Sequence, residues 1–227
     1  MPSRRVAERV ALTRDRVLDA ATGLADRDGL DALTMRRLAD DVGVEAMSLY
    51  HHVPNKDAIL DGVVERCFAE IETELGGFDV VRSTPWQAEL RRRVLGARRV
   101  MLRHRWLPSV LESRSTFGLN MVRYTNGIVG TMSAGGLSHD LIHRSLHALG
   151  SRMYGFSQEL DMDSGDPGDG ADLEQMLTLA PHLAAMLADV MHDDPDTTLG
   201  WCDDQTEFEF GLDLLLDGIA RRAAATG

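Results

Sequence analysis

The sequence predicts an all-α protein of nine or ten helices, with a small N-terminal headpiece and a larger helical body. Three observations predict this fold class. Apolar residues recur at helical spacing along most of the chain, capping residues and glycines mark helix ends, and no segment shows the alternation of apolar and polar residues that indicates a strand. The chain has 227 residues, 44% hydrophobic and 26% charged, which is ordinary for a soluble globular protein.

The headpiece contains three predicted helices. Thr13 caps the first, whose apolar residues repeat at helical spacing. Thr34 caps a second helix over Met35–Asp41, and Gly43 follows where the chain needs a left-handed residue that only glycine adopts without steric cost. A third short helix begins at Glu45. Two short helices joined by such a tight turn predict a helix-turn-helix.

The body is a series of longer helices joined by short connections. Asn55 caps a helix that runs from the headpiece into the body, and Ser138 caps another. Residues 161–170 are acidic and rich in glycine, which predicts a mobile loop. The remaining predicted helices cover about residues 85–104, 109–114, 117–132, 172–192 and 204–224. We therefore divide the chain into a headpiece, residues 1–56, and a body, residues 57–227.

Composition and charge limit the partners that this chain can have. A formal net charge of −12 argues against a protein that coats nucleic acid without sequence preference, because such binding depends on many cationic contacts to phosphate. Residues 1–60 hold nine basic and ten acidic residues, so the headpiece is near neutral and the body is acidic. Because no membrane span or signal peptide is present, we expect a cytoplasmic protein with no membrane partner. The two distant cysteines indicate no redox or zinc role, and no cofactor is predicted.

A cluster of arginines marks the helix predicted at residues 85–104. The cluster allows two interpretations, a second nucleic-acid surface or a solvated and ion-paired helix surface. The arginines fall on several helix faces, while Leu90, Val94, Ala97 and Met101 keep one face apolar. This distribution favours the solvated or ion-paired surface.

Four segments carry a family resemblance. VGVEAMSLYHHVPNK, residues 42–56, resembles the DNA-reading segment of the TetR family of bacterial repressors. Three body segments resemble the regulatory domain of the tetracycline-repressor branch: residues 86–114, which begin WQAELRRRV, residues 134–156, which begin AGGLSHDLI, and FEFGLDLLLDGI, residues 208–219. The resemblance implies a three-helix headpiece, a helical ligand-binding and dimerisation domain, and a regulator released from operator DNA by a small apolar or amphipathic inducer. It implies that the protein is not an enzyme.

The resemblance also implies a set of DNA-contacting residues. Their chemistry agrees with this role, because an arginine can bind guanine through two hydrogen bonds, a methionine can meet a thymine methyl group, and a lysine after the reading helix can face a phosphate. Ala46 and Met47 differ from the residues of the tetracycline repressor at these positions, which predicts a different operator. The set is Thr34, Arg36, Ala46, Met47, Ser48, Tyr50, His51, His52 and Lys56.

The last predicted helix carries more apolar surface than one inward face can cover. Phe208, Leu212, Leu215 and Ile219 lie on one side, and Phe210 and Leu214 lie on another. A partner must cover the second side, or the helix is buried all round in its own monomer. With the helix that follows Ser138, the resemblance implies a four-helix bundle between two subunits. A two-fold homodimer of this kind presents its headpieces about 34–36 Å apart, one DNA turn.

A ligand cavity is expected among the apolar faces of the body helices. Methionines and aromatic residues at helical spacing are adaptable pocket linings, although they are also common core residues. The tetracycline repressor coordinates magnesium through a histidine, and this chain has Val110 or Leu111 there, so the resemblance does not extend to a magnesium-tetracycline ligand. The candidate residues are Phe68, Met101, Trp106, Phe117, Asn120, Met121, Tyr124, His147, Met153 and Phe156.

A row of histidines supports an alternative function. His139, His143 and His147 recur every four residues, and this spacing suits zinc or copper. The alternative is an all-helical metal-dependent enzyme that uses this row. No nucleophile and base pair, phosphate-binding loop or catalytic carboxylate pair accompanies the row, so we expect interface or pocket residues and no metal.

Overall fold

The computed structural model describes residues 11–114, 118–161, 178–190 and 204–226. This part of the chain forms ten α-helices and one 3-10 turn, with no strand, which confirms the all-α prediction. The predicted loop at 161–170 lies outside the described residues beyond Asp161, as do Phe117, the side chain of Phe156 and both ends of the helix predicted at 172–192. The helices are α1 Arg14–Asp28, α2 Met35–Val42, α3 Ala46–Leu49, α4 Lys56–Leu75, α5 Trp86–Arg103, α6 Leu107–Ser113, α7 Leu119–Ala134, α8 His139–Asp161, α9 Pro181–Val190 and α10 Asp204–Thr226.

Side-chain caps define where the headpiece helices and α4 begin. The hydroxyls of Thr13 and Thr34 accept hydrogen bonds from backbone amides three residues later, at 3.2 Å in both cases. The Asn55 side chain accepts a bond of 2.8 Å from the amide of Ala58. Gly43 ends α2 with φ 76° and ψ 40°, the left-handed conformation expected at this turn. The predicted caps and the three-helix headpiece are therefore confirmed.

The headpiece has its own small core, against which α4 also packs. Leu18, Leu38 and Leu49, one from each headpiece helix, are fully buried. α1 contacts both α2 and α4, and α2 contacts α3. Gly62 of α4 lies so close to α1 that a Cβ at this position would be 2.6 Å from a methyl carbon of Leu18. The missing side chain therefore permits the close approach of α4 to α1.

One compact unit comprises residues 1–79 and 95–128. Within it, α4 packs against α6, and Arg66 of α4 binds Asp15 and Asp19 of α1. Phe68 and Tyr124 pack ring to ring with their centroids 5.7 Å apart. α4 begins at Lys56 and belongs to the same compact unit as the headpiece. The division of the chain into two domains at residue 56 therefore stays a prediction.

The second compact unit comprises residues 80–94 and 129–227. Within it, α8 packs against α10, and Arg91 of α5 binds Glu209 at 2.5 Å and Asp213 at 2.8 Å. Arg93 is fully buried and donates to Glu89 at 2.8 Å. A hydrogen bond from Arg92 is the main reason why the pKa of Glu89 is lowered, despite burial of the carboxyl group. The α5 arginines in this unit are thus ion-paired, which agrees with the interpretation of the arginine cluster as a solvated or ion-paired helix surface.

Within the described helices, none combines the length and the apolar content that crossing a bilayer demands.

Candidate DNA interface and ligand cavity

α3 exposes one side and buries the other. Leu49 is inaccessible to solvent and anchors the helix in the headpiece core, whereas Met47 is 73% exposed and Tyr50 45% exposed. His51 is also exposed, and Ala46, Ser48 and His52 are partly exposed. The helix therefore presents a short row of side chains outward. The major groove of B-DNA is wide enough to admit an α-helix that carries such a row.

The arginines beside α3 divide into structural and available groups. Arg27 binds Asp41 at 2.8 Å and Arg37 binds Asp28 at 2.7 Å, so both arginines fasten α1 to α2. Arg36 is exposed, and its side chain makes no hydrogen bond or ion pair with any residue that the structure describes. Its guanidinium group is thus available for an external acceptor.

Lys56 and Thr34 lie at helix beginnings next to this row. Lys56 is the first residue of α4 and is exposed, so its ammonium group and the free amides of that helix end can face the same phosphate. Thr34 is exposed as well, but its hydroxyl already accepts the amide of Arg37. The structure therefore brings all nine predicted DNA residues to the headpiece or to its junction with α4.

A cavity of about 250 Å³ lies in the first unit, between α4, α6 and the start of α7. Its wall combines acidic, basic and apolar side chains. The lining residues are Asp61, Val64, Glu65, Leu111, Arg114, Gly118 and Met121. Of the predicted ligand residues that the structure describes, Met121 lines this cavity and the others do not.

The polar wall of the cavity is a set of ordered contacts. Glu65 accepts hydrogen bonds from the amide of Asn120 at 3.0 and 3.2 Å, and the Asn120 side chain donates to the Glu65 carbonyl at 3.2 Å. Arg114 binds Asp61 at 2.5 Å and Asp57 at 3.4 Å. A Cβ at Gly118 would collide with the Glu65 carboxylate, so the missing side chain of glycine leaves room for this arrangement.

The remaining predicted ligand residues have other contacts. Phe68 and Tyr124 belong to an aromatic cluster with Phe78, whose ring is 5.5 Å from that of Tyr124. The Trp106 indole donates to Asp26 at 2.6 Å and is buried. In the second unit, His147 is exposed. Met101 in the first unit and Met153 in the second are half-buried.

Sequence reasoning missed six lining residues because it searched for apolar stripes. A usable signal was present on α4, where acidic residues recur every four positions at Asp57, Asp61 and Glu65. Such a row forms one acidic helix face, which requires a basic partner or solvent. Arg114 supplies that partner.

Two family profiles match this chain. Residues 17–63 match the profile of bacterial regulatory proteins of the tetR family, and residues 82–223 match that of the tetracyclin repressor-like C-terminal domain. The second match alone spans more than half of the chain. The chain belongs to the TetR family.

Individual TetR proteins are similar to this chain over most of their length. The transcriptional repressor DrrR1 of Streptomyces coeruleorubidus is 30% identical over 220 residues, covering 92% of this chain and 77% of that protein. A possible TetR regulator of Streptomyces coelicolor A3(2) superposes with a TM-score of 0.74 at 29% identity, covering 92% and 98%. The TetR protein ActR of Streptomyces coelicolor in complex with actinorhodin gives 0.72 at 26% identity, covering 96% and 100%.

Family membership confirms the function predicted from sequence. This TetR protein is a ligand-responsive DNA-binding transcriptional regulator, whose partners are operator DNA, a small molecule and a second copy of the chain. The outward faces of α10 suit a homodimer, because Phe210 is 62% and Leu214 55% exposed. The inward face differs from the prediction at one position, since Leu216 is buried and Leu215 is only half-buried.

The histidine row of this TetR chain lies along α8. His139, His143 and His147 are all exposed, and the rings of His143 and His147 meet edge to face with their centroids 4.7 Å apart. The described residues bring no third histidine, cysteine or carboxylate into a group that could hold a metal ion. The row thus offers two adjacent imidazoles, fewer than the three protein ligands of a catalytic zinc site.

Proposed function

We propose that this regulator represses transcription by reading its operator with α3 and the junction to α4. The observation that carries the proposal is the exposed face of α3, supported by the exposed Lys56 and by the exposed Arg36, whose side chain is paired with no described residue. The proposed contacts are the nine predicted residues, with Arg36 on a guanine, Met47 on a thymine methyl group and Lys56 on phosphate. Repression agrees with the name of the relative DrrR1. We place this activity in the cytoplasm and assign the chain no catalytic role.

The operator proposal is tested with the DNA upstream of the gene that encodes this chain. Fluorescence anisotropy with that duplex measures the dissociation constant of the full-length protein at one fixed salt concentration. Arg36→Ala should weaken binding by about 1–3 kcal/mol and relax the preference at one base pair. The matched control is Arg144→Ala, which removes an exposed arginine of α8 paired with Asp140. Equal affinity and equal base preference for wild type and Arg36→Ala would refute the assignment.

We propose that the inducer enters the cavity bordered by Glu65, Arg114 and Met121. The mixture of charged and apolar walls favours an amphipathic ligand. Drug-sized ligands occupy about 300–1,000 Å³, so a cavity of about 250 Å³ must widen to admit one. Widening would separate α6 from α4, and it would strain the ion pairs of Arg114 with Asp61 and Asp57.

Those ion pairs give a direct route from the cavity to the DNA-reading end. Asp57 and Lys56 are neighbours in the first turn of α4, and Asp61 lies one turn later in the same helix. A displacement of α6 that pulls on these carboxylates therefore acts on the helix that begins beside the reading row. Altered spacing of the two headpieces in the homodimer would then release the operator.

Actinorhodin, the ligand of the similar protein ActR, is the first probe for this cavity. Met121→Trp should fill the cavity and abolish both the actinorhodin-induced rise in melting temperature and the release of operator DNA, with operator affinity unchanged. The matched control is Val122→Trp, the neighbouring exposed residue that does not line the cavity. Retention of both responses in Met121→Trp would refute the location. If actinorhodin has no effect on wild type, a library of amphipathic compounds replaces it in the same comparison.

A further inference from the structure

His104 lies between two carboxylates that come from different helices. Its Nδ1 atom is 2.9 Å from Asp26 at the end of α1, and its Nε2 atom is 2.9 Å from Glu70 of α4. Trp106 donates to the same oxygen of Asp26 at 2.6 Å, and Arg103 donates to Glu70 at 2.7 Å. All these residues belong to the first compact unit.

Two carboxylate partners require both ring nitrogens of His104 to carry a proton. A carboxylate accepts hydrogen bonds, and a neutral imidazole has only one N–H to donate. Burial lowers the pKa of His104, but the hydrogen bonds and charges of Asp26 and Glu70 outweigh burial and raise it above its ordinary 6.5. Burial would likewise raise the pKa of Glu70, yet the bonds from His104 and Arg103 lower it.

Among the described residues, the charged groups bonded to the ring are two carboxylates. Asp26 faces it from α1 and Glu70 from α4, Arg103 of α5 binds Glu70, and the buried Cys67 thiol stays neutral because burial raises its pKa to about 12. The side chain of His104 is only 10% exposed. Loss of its proton would leave a ring nitrogen lone pair facing a carboxylate oxygen, an arrangement that water cannot easily relieve.

The bonded groups tie the headpiece to the body. Asp26 lies in the last turn of α1, whereas His104 and Trp106 form the corner between α5 and α6, the helix that borders the cavity. We propose that the proton on His104 is a second effector of this regulator, because it fastens α1 to α4 and to the α5–α6 corner, and its loss at alkaline pH weakens operator binding.

The direction of the effect follows from linkage. A group whose folded-state pKa is raised stabilises the fold fully below its unfolded pKa of about 6.5, and this contribution is lost as pH rises through the folded value. When α1 is released, the headpiece gains conformational freedom that operator binding must remove again. The affinity for the operator therefore falls when His104 loses its proton. His104 and its partners belong neither to the proposed operator contacts nor to the lining of the inducer cavity, and the effect on operator binding rests on the proposed operator function.

The test compares pH profiles of operator affinity at constant ionic strength. Between pH 6.5 and 9.5, wild-type affinity for the upstream duplex should fall about three- to tenfold more than that of His104→Gln, which cannot take up the proton. His51 and His52 of the reading row are present in both proteins, so the difference between the two profiles isolates His104. His143→Gln, on α8, is the control and should follow the wild-type profile.

A second measurement observes the proton itself. Nitrogen-15 NMR of the wild-type imidazoles should show His104 with both nitrogens protonated at pH 7 and a midpoint above 6.5, and Asp26→Asn should lower that midpoint. A midpoint at or below 6.5, or parallel affinity profiles for wild type and His104→Gln, would overturn the proposal. If His104→Gln does not fold, Asp26→Asn takes its place in the affinity comparison. Failure of the upstream duplex to bind at any pH would count against the operator proposal, while the NMR midpoint would still judge His104.

Discussion

The headpiece and the cavity wall differ in how their residues are distributed along the chain. All nine candidate DNA residues fall between Thr34 and Lys56, whereas the seven described lining residues of the cavity come from α4, α6, α7 and the two ends of the α6–α7 connection. A site built from adjacent helical turns follows from local sequence rules. A site built from distant segments depends on packing that no short pattern encodes.

The largest expected effect concerns the residue that holds α3 in place. Leu49→Ala should destabilise the protein by about 2–5 kcal/mol, because it removes a fully buried side chain from a small core. Urea unfolding measures the loss, and operator affinity should fall with it. Leu119→Ala, which shortens an exposed side chain of α7, is the control. A cost below about 1 kcal/mol would show that the headpiece does not depend on this anchor.

The cavity counterpart is Gly118→Ala. The added methyl group collides with the Glu65 carboxylate, so we expect a loss of about 1–3 kcal/mol in the free energy of unfolding. Gly155→Ala is the matched control, because it adds the same methyl group to a glycine of α8. A Cβ at this position would meet no described atom within 4 Å beyond its chain neighbours and the backbone of its own helix. That control should leave stability unchanged or raise it slightly. Equal behaviour of the two variants would mean that Glu65 moves aside freely.

A smaller effect is expected at the turn of the helix-turn-helix. Gly43→Ala places a methyl group on a residue with φ 76°, and we expect a cost of about 1–2 kcal/mol by thermal or urea unfolding. Gly43→Asn should cost less, because asparagine tolerates the left-handed region better. If alanine and asparagine cost the same, strain at this residue is not what selects glycine.

The smallest change in stability is expected at Met47. Because its side chain is mostly exposed, Met47→Ala should alter the free energy of unfolding by no more than about 0.5 kcal/mol. The base preference of the Met47→Ala protein should nevertheless change. A binding assay measures this change on operator duplexes that carry each base pair in turn at one position. An unchanged preference at every position would remove Met47 from the reading row and weaken the contrast between the two sites.

The same contrast explains what the sequence could predict. The side chains of Thr13, Thr34 and Asn55 mark helix beginnings, because each accepts a hydrogen bond from an amide three residues later. Gly43 marks the turn that follows α2. These features depend only on neighbouring residues, so the headpiece could be predicted almost completely. Leu216 in place of Leu215 on the inner face of α10 shows the limit, because a broad apolar helix does not reveal its rotation.

The cavity could be predicted only in part. Met121 was recognised from its helical spacing, whereas the contact between Glu65 and Asn120 joins positions 55 residues apart. Gly118 gives no sequence signal for its role, since the glycine matters only once the Glu65 carboxylate is in place. Polar lining residues on an acidic helix face resemble ordinary surface residues until their basic partner is known.

The bond between Asp26 and His104 crosses 78 positions and joins the first helix to the α5–α6 corner. This bond matters for a chimera in which the headpiece of another regulator is joined to the body of this chain. In this chain, a graft made at residue 56 that replaced Asp26 with a neutral residue would leave the imidazole of His104 and the indole of Trp106 without their shared acceptor. A successful exchange must therefore carry the acidic residue at position 26 together with the body that supplies its donors.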